Sequence, residues 1–125
     1  MAGAILVVDD SATMRMIVRA TLNDAGWEVV LAADGAQALA LVQTQPFTLV
    51  VTDWNMPVMG GAELVAALRA DARFVALPVL VLTTEGDESA QVRAENLGVS
   101  GWLSKPVDPE TLLAAVDHLQ AKETP

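Results

Sequence analysis

Five short aliphatic runs, separated by stretches whose apolar residues recur every three to four positions, restrict this chain to one class of architecture. The runs are AILVV (4–8), WEVVLA (27–32), FTLVVT (47–52), PVLVLT (78–83) and SGWLS (100–104). Three of them are apolar at nearly every position, so both faces of those strands must be covered, as in a parallel sheet held between helices. Pro78 suits the first position of its strand, where a missing N–H is tolerated. Between the runs the period lengthens: Met14, Ile17, Val18, Thr21, Leu22 and Ala25 predict a helix over about 12–25, capped by Ser11 and ended by Gly26. Asp34-Gly35 opens a second helix near 36–44, and Gly60-Gly61 precedes a third near 62–71. Asp87-Glu88 opens a fourth that ends before Gly98, and Pro109 begins a fifth running to about 120. Gly60-Gly61 is expected to supply positive φ and a tight helix entry. The final AKETP looks frayed. The order βαβαβαβαβα, with right-handed crossovers, implies an α/β fold built on a doubly wound, five-stranded parallel sheet.

The chain's 125 residues suit one compact domain over 1–125. A hydrophobic fraction of 53% and a mean hydropathy of +0.41 are high, yet no apolar run approaches the roughly 20 residues of a membrane span. There is no cysteine, which excludes disulfides, thiolate metal sites and cysteine nucleophiles. The start MAGAILVV has no basic segment ahead of its apolar run, so a secretion signal is not expected and the cytoplasm is the default compartment. Seven basic against 16 acidic residues give a formal charge of -9. That field repels phosphate backbones and anionic lipid, so neither nucleic acid nor membrane is an expected partner.

In open α/β sheets, ligands bind beyond the carboxyl ends of the strands, where the strand order reverses. The strand ends here carry Asp9-Asp10, Asp53, Thr83-Thr84 and Lys105-Pro106. If the first and third strands are neighbours, three carboxylates converge. Two such charges 4 Å apart repel by about 4 kcal/mol at an effective dielectric of about 20, so the cluster demands a cation or a proton. Oxygen ligands without His or Cys select a hard ion, foremost Mg²⁺. With Lys105 and a Thr hydroxyl nearby, the set resembles a phosphoryl-binding arrangement in which Asp53 is the nucleophile.

Each residue taken alone has an ordinary explanation. Asp10 with Ser11 could cap a helix, Asp9 could be a loop acid, Asp53 could cap the next turn, Thr83 could end a strand and Lys105 could be a solvated lysine. The separate explanations do not account for all five standing on one rim.

In order and spacing, LVVDDSATMR, VVTDWNMPVMGG, VLVLTTE and GWLSKP resemble the receiver domain of two-component response regulators, in its single-domain chemotaxis (CheY-like) form. The likeness runs over essentially the whole chain and implies the flavodoxin-like strand order 2-1-3-4-5. It further implies that Asp53 accepts a phosphoryl group. Asp10 would bind Mg²⁺ directly, Asp9 would hold a metal-bound water, and Asp53 with the backbone carbonyl of Asn55 would complete the protein ligands. Lys105 would pair with the phosphoryl group, and the Lys105-Pro106 bond is expected to be cis. Thr83 would move its hydroxyl onto a phosphoryl oxygen as the switch. Trp102 stands where many relatives have Tyr or Phe, and its inward rotation competes with a fixed core role for the indole. Asn55 and Glu85 lie beside the path of a hydrolytic water and suggest a short-lived phosphoryl aspartate.

The implied donor is a histidine kinase or a histidine phosphotransfer protein. The implied output is protein contact through the face of helix 4, strand 5 and helix 5, for example with a flagellar switch component, because no output domain fits after residue 120. The chain is expected to act as a monomer and not as an enzyme in the ordinary sense. Met56 and Met59 suit core and turn packing, Trp54 suits a partly buried loop aromatic, and His118 suits a surface or partner-facing place far from the acidic rim. Three other readings stand beside this one. A phosphatase of the haloacid dehalogenase type would need its nucleophile on the first strand and an Asp where Asn55 stands. A flavodoxin-like electron carrier would need a first loop rich in Ser, Thr and Gly. A receiver-like module that no longer accepts phosphate is opposed by the presence of all five site residues.

Overall fold

The computed structural model describes residues 4–84, 88–105 and 107–123. Five strands alternate with five helices: β1 (Ala4–Val8), α1 (Ala12–Asp24), β2 (Val29–Ala32), α2 (Gly35–Val42), β3 (Phe47–Asp53), α3 (Gly61–Arg69), β4 (Val79–Thr84), α4 (Glu88–Leu97), β5 (Gly101–Lys105) and α5 (Pro109–Glu123). The strands form one parallel sheet in the order β2-β1-β3-β4-β5. β1 and β3 are therefore neighbours, with Val8 opposite Thr52, and Asp9 and Asp53 emerge side by side from the strand ends.

The unbroken hydrophobicity of the central strands has the expected consequence. Alternate residues feed two cores, one on each face of the sheet. Ile5, Val7, Leu49, Val51, Leu80 and Leu82 pack with Val18, Leu22, Leu112 and Val116 of α1 and α5. Leu6, Val8, Val50, Val79 and Val81 pack with Ala38, Leu64, Leu68 and Ala94 of α2, α3 and α4. Each fully buried aliphatic side chain contributes about 1.5–3 kcal/mol, which fixes the strand ends rigidly beneath the loops.

The helix termini follow local chemistry. Ser11 accepts the Met14 amide at 3.2 Å, and Asp34 accepts the Gln37 amide at 2.9 Å. α1 stops at Gly26, whose φ of 95° permits the paired bonds Gly26 N–H to Asn23 O and Trp27 N–H to Leu22 O. Trp27 is thus consumed in ending the helix, and β2 starts at Val29 rather than at Trp27. α5 runs to Glu123, beyond the frayed end expected from sequence, because Ala121, Lys122 and Glu123 are all good helix formers.

The expectation of positive φ at Gly60-Gly61 is wrong. Gly60 is extended (φ -81°, ψ 179°), and among the described residues only Gly26 and Gly98 are glycines with positive φ. Gly61 is required for another reason: a Cβ there would lie 2.6 Å from the carbonyl oxygen of Asp53 and 3.0 Å from Cα of Trp54. The left-handed residue of this loop is Val58, at φ 68°. With the Met59 amide donating to the Pro57 carbonyl at 2.7 Å, Val58 is the centre of a strained γ-turn.

Candidate functional site

Asp9 leaves β1 almost sealed, 3% exposed, and both of its oxygens are engaged. Oδ1 accepts the Ser11 amide at 2.9 Å, and Oδ2 lies 3.3 Å from Lys105 Nζ. The Arg15 guanidinium donates to the Asp9 carbonyl at 2.6 Å, tying the first turn of α1 to the strand end. Asp10, next in the chain, turns outward and is exposed. Asp53 ends β3 at 7% exposure. Its Oδ1 accepts the Trp54 amide at 2.9 Å and stands 3.2 Å from Lys105 Nζ. Oδ2 takes no hydrogen bond from the described residues.

Asp9, Asp10 and Asp53 each offer a carboxylate oxygen, and these oxygens lie within 4.8 Å of one another. Lys105 answers them from the far edge of the sheet. It ends β5, and its side chain crosses β4 to reach carboxylates on β3 and at the end of β1. Burial pushes the Asp53 carboxyl above its ordinary pKa; Lys105 opposes that shift and Asp9 reinforces it. Burial alone would pull the Lys105 ammonium down, but the two carboxylates outweigh it and raise it. The lysine is the half-buried counter-ion of the pair, not a solvated loop residue.

Thr83 follows Leu82, the residue opposite Asp53. It is 1% exposed, and its Oγ1 is buried without a hydrogen-bond partner among the described residues. An orphaned buried hydroxyl costs about 1–3 kcal/mol, a cost that a ligand oxygen would remove. Together, an all-oxygen donor set, a lysine and an unpaired hydroxyl fit a divalent cation beside an anionic group.

Asn55 is exposed in the loop after β3 and lines an open cleft of about 410 Å³ with Trp54, Met56, Glu63 and Arg93. Trp102 sits on β5 opposite Val81 and is half-buried. Glu85 and the Lys105-Pro106 bond lie outside the described residues. Met56 packs against the α2–α3 core, while the Met59 carbonyl accepts the Gly35 amide at 2.9 Å and anchors the start of α2. His118 is exposed on α5. A second cleft of about 700 Å³ lies where β3 and β4 begin, bordered by Phe47, Phe74 and Pro78, and holds none of the site residues.

Trp54 departs from its expected place. It is 5% exposed and belongs to the core. Its ring meets Trp102 edge to face at 6.1 Å, and the Arg93 guanidinium lies 5.7 Å from its centroid. Neither Trp54 nor Arg93 stands out as a site residue in the sequence, because their meeting depends on how α4 is laid over the sheet. The one available signal was the adjacency of Trp54 to Asp53.

Comparison with known proteins agrees with this geometry. The family model "Response regulator receiver domain" matches residues 5–117. The chain is 43% identical over 110 residues to chemotaxis protein CheY1 of Helicobacter pylori, covering 86% of this chain and 89% of that protein. It is 40% identical over 116 residues to chemotaxis protein CheY of Pseudomonas aeruginosa, covering 92% and 94%. Among solved structures, Vibrio cholerae chemotaxis protein CheY4 superposes with a TM-score of 0.89 at 43% identity, covering 95% of this chain and 99% of that one. With the family model spanning nearly all of the sheet and helices, and relatives this similar over most of their length, the chain belongs to the response regulator receiver domain family.

Proposed function

We propose that the chain, acting as one receiver domain over residues 1–125, is the phosphorylation switch of a two-component chemotaxis pathway. The observation that carries this reading is the convergence of Asp9, Asp10 and Asp53 within 4.8 Å against the ammonium of Lys105. The nucleophile is Asp53, through the Oδ2 that no described residue occupies. It attacks the phosphorus of a phosphohistidine; an O–P bond forms, the P–N bond breaks, and the imidazole leaves with the electron pair and takes up a proton. The product is an aspartyl phosphate.

The carboxylates of Asp10 and Asp53 and the backbone carbonyl of Asn55 would hold Mg²⁺, with Asp9 contributing through a water because both its oxygens are already engaged. When bound, the ion supplies charge neutralisation to the phosphoryl oxygens. Lys105 pairs with the phosphoryl group, and Thr83 turns its orphaned hydroxyl onto it. Rotation of Trp102 then alters the α4-β5-α5 face, which meets a protein target of the flagellar-switch kind. The donor is a histidine kinase or a histidine phosphotransfer protein, and the chain works as a cytoplasmic monomer. No described helix is long and apolar enough to cross a membrane, which is compatible with that placement.

The test is Asp10→Asn. Asp10 is exposed and its side chain makes no hydrogen bond or ion pair among the described residues, so the variant should fold normally while losing Mg²⁺-dependent labelling by acetyl phosphate. Labelling with unchanged metal dependence would reduce Asp10 to an ordinary loop acid.

A further inference from the structure

Over residues 92–97, α4 is held by little apolar burial: Ala94 is buried, Leu97 is half-buried, and Val92 is 57% exposed. Two arginines compensate. Arg69 of α3 donates from Nε to the Gly98 carbonyl at 3.1 Å, just past the end of α4, and from a terminal nitrogen to the Phe74 carbonyl at 3.0 Å. Arg93 of α4 itself makes no ion pair and no hydrogen bond among the described residues, and lays its guanidinium over Trp54 at 5.7 Å. The contrast with Arg73 is instructive. That guanidinium also stands over an aromatic ring, Phe74 at 4.9 Å, but its charge is taken by Asp71 at 2.7 Å. Among the described residues, the Arg93 guanidinium meets the indole and no carboxylate.

Trp54 is tied in three directions. Its backbone amide donates to Asp53 Oδ1 at 2.9 Å and to Leu82 O at 3.0 Å. The carboxylate oxygen and the Leu82 carbonyl both accept this one N–H, which is thus shared between Asp53 and the continuation of the β3–β4 ladder. Its ring meets Trp102 at 6.1 Å with an interplanar angle of 61°, and the Arg93 guanidinium lies over it at 5.7 Å. One residue therefore joins α4, β5 and the candidate phosphoacceptor.

We infer that Arg93 is a positioning residue for Asp53, acting through a cation–π bracket on Trp54 that fixes the peptide whose N–H holds Oδ1 and leaves Oδ2 presented. The same bracket carries the position of α4 to the acidic rim by a route separate from Thr83. This inference rests on the proposed role of Asp53. Loss of the bracket lowers the fraction of molecules with Asp53 correctly presented by about two- to five-fold, the range expected for a cation–π contact at an exposed site.

The experiment compares Arg93→Met, which keeps the length and apolar stem, with Arg93→Lys, which keeps the charge, both in a Trp27→Phe background that removes the unrelated indole. The rate of Mg²⁺-dependent labelling by acetyl phosphate should fall about two- to five-fold in Arg93→Met and recover in Arg93→Lys. The indole emission of the unlabelled protein should change in the Met variant and stay near the parent in the Lys variant. A labelling rate in Arg93→Met equal to or above the parent overturns the inference, as does equal impairment in both variants, since packing and not charge would then be the cause. If the parent itself is never labelled, the role of Asp53 falls, and the emission spectra still decide the contact: an identical spectrum in Arg93→Met removes the bracket.

Discussion

Neutralising Asp53 by Asp53→Asn should stabilise the metal-free fold, and the magnitude follows from the site. The carboxylate loses the attraction of Lys105 at 3.2 Å, about 5 kcal/mol at an effective dielectric of about 20. It escapes the repulsion of Asp9, whose oxygen lies within 4.8 Å, at least about 3.5 kcal/mol on the same scale. Asp10 is exposed and water screens most of its share. Removing a charge from a site 7% exposed also relieves a desolvation cost of several kcal/mol. The balance favours the neutral residue by about 2 kcal/mol, in the direction of the raised Asp53 pKa, where burial is the largest cause. For a chain of this size that is a rise in Tm of about 8 °C. The sign with pH follows from linkage. A carboxyl raised in the folded state binds more protons there than in the unfolded chain, so the parent loses stability as pH rises from the unfolded pKa of about 3.9 through the folded value. Calorimetry in EDTA at neutral pH should show the advantage of Asp53→Asn, and the advantage should shrink as pH falls towards about 4. Added Mg²⁺ should narrow the gap by stabilising the parent. A variant no more stable than the parent in EDTA, or an advantage indifferent to pH, would refute the reasoning.

Thr83→Val removes a buried hydroxyl that lacks a partner and keeps the shape, so denaturant melts should show stability unchanged or raised by about 1 kcal/mol. The same variant should still accept the phosphoryl group while its Trp102 emission no longer responds to labelling. Asn55→Met should prolong the aspartyl phosphate, read as slower decay after acetyl phosphate is removed, because an apolar side chain in the exposed loop beside Asp53 hinders an approaching water.

The strands were legible because aliphatic runs covered on both faces have no other place to go, and the strand ends then marked the rim. Asp9, Asp10, Asp53, Thr83 and Lys105 could be chosen from that rule alone; the three carboxylates and Lys105 meet, and Thr83 ends β4 with a buried hydroxyl that has no partner among the described residues. What the sequence hid lies in the loop after β3. A Gly-Gly pair suggests backbone freedom, yet Gly61 is needed for the close approach of Asp53 and Trp54, while the positive φ falls on Val58, a residue no propensity would choose. Trp54 looked like a loop aromatic because its neighbours are polar. Its burial depends on Trp102 and Arg93 arriving from elements some 40 to 50 positions away, which no local pattern reports. β2 begins at Val29 and not at Trp27 for a similar reason: a hydrogen bond closing α1 takes Trp27 out of the strand.

The most direct measurement of the central claim is intact mass after incubation with Mg²⁺ and acetyl phosphate. The parent should gain the mass of one phosphoryl group, the gain should vanish in EDTA, and Asp53→Ala should show none. An adduct of the same yield in Asp53→Ala, or a folded parent that acquires none, would contradict the assignment of Asp53 as the phosphoacceptor.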